Sequence, residues 1–296
     1  MPMLTALRFH LKLSDGAKKA GSINLAQSSK LEYLYLNGPF LLEFGDKPVH
    51  LARSVDLDLG GFSLVQQCLT FLEVAPNLKK LQIVLKVNRP TNNENRSVIS
   101  RNLQTLSLRD TAPVLLIDKL ALPALKVLKY FGSEGGSLLT FVERSLPPLT
   151  RLEICGSCAG EETIMRVLPL LPMLQALSLS LRIVSARLFE LLSIRTGADT
   201  SNYTRDIPNQ IVCPKLGWLF FRTYSVVGDL QECADALCNM LESRWDSLKL
   251  WDYVIGVNVL HYPFSTTDRE GVYRRIQDRK DFLAKCNGER YRRLCF

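Results

Sequence analysis

A phrase of the form L-x-x-L-x-apolar returns along this chain at nearly constant spacing. It reads LQTLSL from Leu103 and LKVLKY from Leu125. Aligned on the second leucine, the copies fall at Leu7, Leu34, Leu57, Leu81, Leu106, Leu128, Leu152 and Leu177, at intervals of 27, 23, 24, 25, 22, 24 and 25 residues. One copy arises easily by chance, but a register held this long does not. Self-similarity at roughly 20 to 29 residues predicts a stack of leucine-rich repeats.

The phrase has the grammar of a short strand, because side chains alternate between faces along a strand. Leu106 and Leu108 are expected to point inward, with Thr105, Ser107 and Arg109 outward. Leu128 and Tyr130 repeat the inward choice, and Val127, Lys129 and Phe131 the outward one. Several connecting segments read as helices. Ser63 precedes LVQQCLTFLEVA, which Pro76 stops, and Ser137 heads LLTFVERSL before Pro147 and Pro148. Asp229 with Glu232 gives a capping-box pattern before CADALCNMLESRW. A strand–turn–helix unit of this kind buries its apolar side only against its neighbours.

The expected fold class is therefore α/β: a leucine-rich-repeat solenoid, or horseshoe, with a parallel concave sheet and helices or irregular returns on the convex side. About ten degenerate repeats would fill residues 1–262. Polar insertions interrupt them at 87–101 and 193–214, and residues 263–296 form a helical cap. That cap opens at Thr267 with Glu270 and closes at Asn287-Gly288. Insertions in such arrays fall in loops, often on a functional face.

With 47% hydrophobic and 22% charged residues, the 296-residue chain has the balance of a folded protein and not of a disordered one. The greasiest stretch, VLPLLPMLQALSLSL, is broken by Pro169 and Pro172 and is a poor membrane span. The start, MPMLTALRFHLKL, lacks a small-residue cleavage site and already fits the repeat. Cys68, Cys233 and Cys238 lie among apolar neighbours, which suits reduced thiols in the cytoplasm or nucleus. The formal charge of +8 owes much to the tail beyond Thr267, where a solvated helix face is as good an account as nucleic-acid contact.

Chemical motifs are sparse. The chain has no phosphate-binding glycine loop of either common type, and His10, His50 and His261 form no metal-ligand pair. Cys155-Gly-Ser-Cys158 is a C-x-x-C after a strand, but it has no second pair for zinc and falls on an expected repeat turn. No enzyme activity, cofactor or metal is expected.

A binding surface is better supported. Parallel strands about 4.8 Å apart present their outward residues as one continuous face. The candidate partner-binding residues on it are Tyr33, Tyr35, Asp56, Asp58, Lys80, Arg109, Lys129, Phe131, Arg151, Trp218, Phe220 and Arg222. The aromatics and arginines are its expected anchors. For Trp218 and Phe220 a second reading stands beside the first, that the 193–214 insertion or the closing cap covers them.

The phrases Pro123-Ala-Leu-Lys-Val-Leu128 and Leu149-Thr-Arg-Leu-Glu-Ile154, together with MLESRW from Met240 to Trp245, resemble the repeat half of fungal F-box/leucine-rich-repeat proteins. That resemblance implies a substrate receptor of a ubiquitin ligase. The repeats would hold a protein target on the concave face, and an F-box would dock a Skp1-like adaptor. The repeats begin within the first residues here, so an F-box would have to lie upstream. The alternative is a repeat scaffold or inhibitor without a ubiquitin role, and nucleic-acid association ranks behind both.

Overall fold

The computed structural model describes residues 6–10, 21–24, 32–37, 40–43, 54–59, 64–85, 96–109, 116–131, 136–155, 160–194, 211–247 and 255–259, with Arg274 and Asp278. The chain is mixed α/β and divides into two compact units, Met1–Cys158 and Ala159–Phe296. Among the described residues every strand pairing is parallel, and the main sheet does not close into a barrel.

The strands of the first unit are β1 (Ala6–His10), β2 (Gly21–Asn24), β3 (Tyr33–Asn37), β4 (Phe40–Glu43), β5 (Ser54–Leu59), β6 (Lys80–Leu85), β7 (Val98–Ile99), β8 (Thr105–Arg109), β9 (Leu120–Ala121), β10 (Val127–Phe131) and β11 (Arg151–Ile154). Its main sheet runs β1-β3-β5-β6-β8-β10-β11, while β2 pairs with β4 and β7 with β9. One apolar row crosses the main sheet through Leu7, Leu34, Val55, Leu81, Leu106, Leu128 and Leu152. Leu57, expected in this row, instead faces Leu36 on β3 and Ile83 on β6. The strand period explains the correction. A shift of two residues keeps the same face, so the pattern finds the strand without saying which apolar residue leads it.

Proline sets the turns that feed these strands. In Ala75-Pro-Asn-Leu78 the Leu78 N–H donates to the Ala75 carbonyl at 3.1 Å, and in Leu122-Pro-Ala-Leu125 the Leu125 N–H donates to the Leu122 carbonyl at 3.2 Å. Proline in the second position fixes φ near the value such a turn requires. The closing leucines, Leu78 and Leu125, are fully buried. Successive turns are then bonded together. The Lys79 carbonyl accepts the N–H groups of Gln104 and Thr105, that of Gln104 accepts Lys126 and Val127, and that of Lys126 accepts Thr150 and Arg151.

Helices α1 (Leu64–Val74) and α2 (Gly136–Ser145) form part of the returns. Each turns an apolar stripe inward, Cys68, Leu69, Phe71 and Leu72 in α1 and Leu138, Leu139, Phe141 and Val142 in α2. Ser137, expected ahead of α2, lies within its first turn. At the far end of α2, Arg144 Nε donates to the Leu120 carbonyl at 2.9 Å and Nη2 to that of Ile117 at 2.8 Å. The buried Ser145 Oγ accepts the Leu122 N–H at 3.1 Å. These bonds satisfy backbone groups that the two-residue strand β9 cannot satisfy alone.

The second unit contains strands β12 (Ala176–Val184), β13 (Trp218–Val226) and β14 (Ile255–Val259). Its helices are α3 (Glu161–Val167), α4 (Ala186–Leu192) and α5 (Leu230–Ser247), and a 3-10 turn follows α3 at Leu168–Leu170. β13 pairs with β12 on one side and β14 on the other. The proline turn appears here too. Leu174 N–H donates to the Leu171 carbonyl at 3.1 Å across Pro172, and Leu216 N–H to the Cys213 carbonyl at 3.0 Å across Pro214. The Gln175 carbonyl accepts the N–H groups of Gly217 and Trp218.

Asp229 Oδ1 accepts the Gln231 N–H at 2.8 Å and so caps α5, as the sequence suggested. The helix then continues to Ser247. Trp245, the last residue of the helical pattern CADALCNMLESRW, is helical, the helix runs two residues further, and the next described strand is β14. The Met240–Arg244 face is buried and holds the last turns of the helix against the unit. The proposed cap from Thr267 to Cys286 lies outside the described residues, apart from Arg274 and Asp278, as do residues 87–95 and 195–210 of the two insertions. No described helix is long and apolar enough to cross a membrane.

Candidate functional site

The same register that stacks the leucines aligns the alternate residues into rows on the other face of each sheet. In the first unit one row runs Tyr33, Ser54, Lys80, Thr105, Val127 and Arg151. A second runs Tyr35, Asp56, Gln82, Ser107, Lys129 and Glu153, and a third Asn37, Asp58, Val84, Arg109 and Phe131. Burial follows the alternation. Leu81, Ile83, Leu106, Leu108, Leu128, Tyr130, Leu152 and Ile154 are 0% exposed. Lys80, Arg109 and Arg151 are exposed, while Tyr35, Lys129 and Phe131 are half-buried. Tyr33, at 39%, is among the exposed large apolar residues. Asp56 and Asp58 are placed by register on β5, and their side chains lie outside what the structure describes.

Register also decides which candidates meet. Arg109 and Phe131 are direct partners across β8 and β10, and the guanidinium carbon sits 5.1 Å from the centre of the ring. That geometry attracts a cation to the ring face. Lys129 faces Glu153, and their charged ends are 3.0 Å apart. Arg151, two residues before Glu153 on the same face, donates from Nε to Glu153 Oε1 at 2.7 Å. Glu153 thus sits between two cations, with only 12% of its side chain exposed. Ser107 is outward by alternation yet only 2% exposed, and its hydroxyl has no hydrogen-bond partner.

In the second unit, Trp218, Phe220 and Arg222 follow one another on one face of β13 and are each half-buried. The two rings are stacked, with centres 6.3 Å apart and planes inclined by 17°. Their neighbours across the sheet are small. Ser178 and Gly256 flank Phe220, and Ser180 and Asn258 flank Arg222. Arg222 Nε is buried without a hydrogen-bond partner. Sequence alternation placed all three residues on this face, but the stacking depends on geometry that alternation does not contain.

Reactive chemistry is poorly provided for among the described residues. Burial pushes the Cys68 thiol up to about 12, and it does the same to Cys213 against the opposing charge of Arg244. Cys233 is also raised to about 12, by burial first and then by the carboxylates of Glu161 and Glu232. Thiols held protonated in this way are poor nucleophiles. Of the C-x-x-C, Cys155 is half-buried at the end of β11, and residues 156–158 lie outside the described set. Among the described residues, no group of three or more His, Cys, Asp or Glu could hold a metal ion.

Compared with known proteins, the chain matches no family model, no curated protein and no solved structure.

Proposed function

We propose that this chain is a leucine-rich-repeat solenoid that acts without catalysis, by holding a protein on the outward face of its parallel sheet. The observation that carries the reading is the register. In the first unit leucine and other apolar residues fill one side of the strands, and the opposite side presents tyrosine, lysine and arginine in rows whose neighbours lie about 4.8 Å apart. The proline turns, bonded in succession through shared carbonyls, support the repeat half of the reading.

The setting we favour is target recognition in an F-box-type ubiquitin ligase receptor, supported by the resemblance of the Pro123–Leu128, Leu149–Ile154 and Met240–Trp245 phrases. The mechanism is positional. The face holds the target, and a Skp1-like adaptor engaged through an F-box brings the ligase to it.

Site-specific photo-crosslinking tests the binding reading. A crosslinker at Tyr33 or Arg109 is expected to capture a protein, and one at Glu73 on α1 or Glu162 on α3 is not. Equal capture from the helical positions overturns it. Co-purification of a Skp1-like adaptor with the complete gene product tests the ligase setting. Its absence leaves a scaffold or inhibitor.

A further inference from the structure

We infer that the strip of sheet from β6 to β11 takes an acidic segment of its protein partner, carboxylate side chains lying among Lys80, Arg109, Lys129 and Arg151. This deepens the proposed binding reading and rests on it. The first support is charge. Lys80, Arg109, Lys129 and Arg151 are the described cations of that strip, and Glu153 is its one described carboxylate. The rows hold Gln82, Thr105, Ser107 and Val127 between them, so nothing else described there offsets the positive charge.

The second support is that Glu153 already shows how a carboxylate is held here. It lies between Lys129 Nζ at 3.0 Å and Arg151 Nε at 2.7 Å, and both contacts are made above the floor of the sheet. One or two strands away, Arg109 leans on the Phe131 ring, and a ring face satisfies none of its N–H donors. Lys80 has no described acidic partner. Lys80 faces Thr105 and Arg109 faces Val84, four residues apart in register, so two carboxylates of an incoming acidic segment, one at each cation, would each make with it a contact of the kind Glu153 makes with its neighbours.

The third support is Ser107. Its hydroxyl is buried without a partner in the middle row, between Gln82 and Lys129 and two residues before Arg109. When the long cationic side chains are drawn onto a ligand, this donor lies beneath them and can meet an acceptor. Asp56 and Asp58 sit in register on β5, adjoining β6, and set the limit of the strip on that side.

A nucleic-acid strand is the competing anion. It binds such a groove by stacking bases on exposed aromatic faces as well as by phosphate contacts. On this strip Phe131 is the only described aromatic ring on the outward face, and Arg109 already covers it. The observations therefore favour carboxylates on a peptide.

The test is fluorescence anisotropy on the full chain with labelled octaglutamate, octaglutamine and an oligothymidylate of similar length. Octaglutamate is expected to bind, octaglutamine is not, and binding should weaken steeply as salt is raised. The Lys80→Gln/Arg109→Gln double variant is expected to lose about ten-fold or more in affinity. A Lys285→Gln/Arg290→Gln variant of the tail should bind as the parent does. Unfolding curves of the exposed-site variants confirm that the fold is intact. Equal binding by the Lys80/Arg109 variant, no octaglutamate binding, or tighter binding of the oligothymidylate each overturns the inference. Protein crosslinks at Tyr33 and Arg109 together with any of those results would leave the binding reading standing and remove only the acidic specificity.

Discussion

Arg244 donates a hydrogen bond of 3.0 Å to the carbonyl of Cys213, the residue that opens the Pro214 turn with a left-handed φ of 49°. The same guanidinium reaches the Val212 carbonyl at 2.6 Å and the last carbonyl of α4, that of Leu192. Ser243 beside it accepts the Ile194 N–H at 2.9 Å. One arginine on α5 thus fastens both ends of the 193–214 segment, and it does so while only 1% exposed. Arg244→Leu leaves those carbonyls buried without donors, and we expect a loss of about 3–5 kcal/mol. Arg244→Lys keeps the charge but not the planar fork, and should lose nearly as much. Urea denaturation of both variants measures this, and a change under about 1 kcal/mol would contradict it.

Leu146 ends α2 in the left-handed region, with φ of 39°, and its N–H donates to the Val142 carbonyl at 2.8 Å. Helices commonly close this way, but with glycine, because a side chain is strained there. Leu146 is also 70% exposed, so its side chain contributes little burial in return. Leu146→Gly is expected to raise stability by about 0.5–1 kcal/mol. A lower thermal midpoint for that variant would refute the account.

The sequence made some of this legible for a physical reason. Alternation over five residues names the faces of a strand, so Leu106, Leu108, Leu128 and Tyr130 were placed inward correctly, and Arg109 and Lys129 outward. Leu57 was misaligned because Val55 and Leu57 share a face, and only the neighbouring strands break the tie. The helical pattern of α5 was readable through Trp245, but the burial of Arg244 was hidden, because it reads as a surface residue until its carbonyl partners appear. β14 was missed although Ile255, Val257 and Val259 alternate, since it falls beyond the regular spacing. β7 and β9 are two residues each, and tertiary context alone pairs them. On the candidate face, the outward identities were readable. The contact between Arg109 and Phe131, the position of Glu153 between Lys129 and Arg151, and the burial of Ser107 were not, because each depends on what a neighbouring strand sets alongside.

The buried thiols give stability a pH dependence with a definite sign. In the unfolded chain a cysteine ionises near its model value of 9.0, whereas burial holds Cys68 and Cys213 protonated up to about 12 in the folded protein. Above pH 9 the unfolded state therefore binds fewer protons than the folded one, and stability falls as pH rises from about 9 toward 12. Below that window these groups contribute no pH dependence. Urea unfolding between pH 7 and 11 should show the decline, and Cys68→Ala, though less stable throughout, should show a shallower slope. At pH 8, Cys68 and Cys213 should resist a thiol reagent until denaturant is added.

Ser107 separates stability from function on the candidate face. Its buried hydroxyl has no partner, so removing the oxygen removes a desolvation cost without breaking a bond. Ser107→Ala is expected to be neutral or to stabilise by up to about 1 kcal/mol, measured by thermal unfolding. A loss above about 1 kcal/mol would mean that the hydroxyl is satisfied in the folded protein.

Trp218 asks the same question in the second unit. The ring is half-buried and stacked on Phe220, so it has more to offer a partner than the core beneath it. Trp218→Ala should cost about 1–2 kcal/mol of stability, less than the roughly 3–5 kcal/mol of a fully buried aromatic. It should also reduce capture of a partner protein about ten-fold or more, as loss of a central aromatic does at binding surfaces. The two quantities must be measured on the same preparation. A large loss of stability with capture unchanged would make Trp218 a core residue.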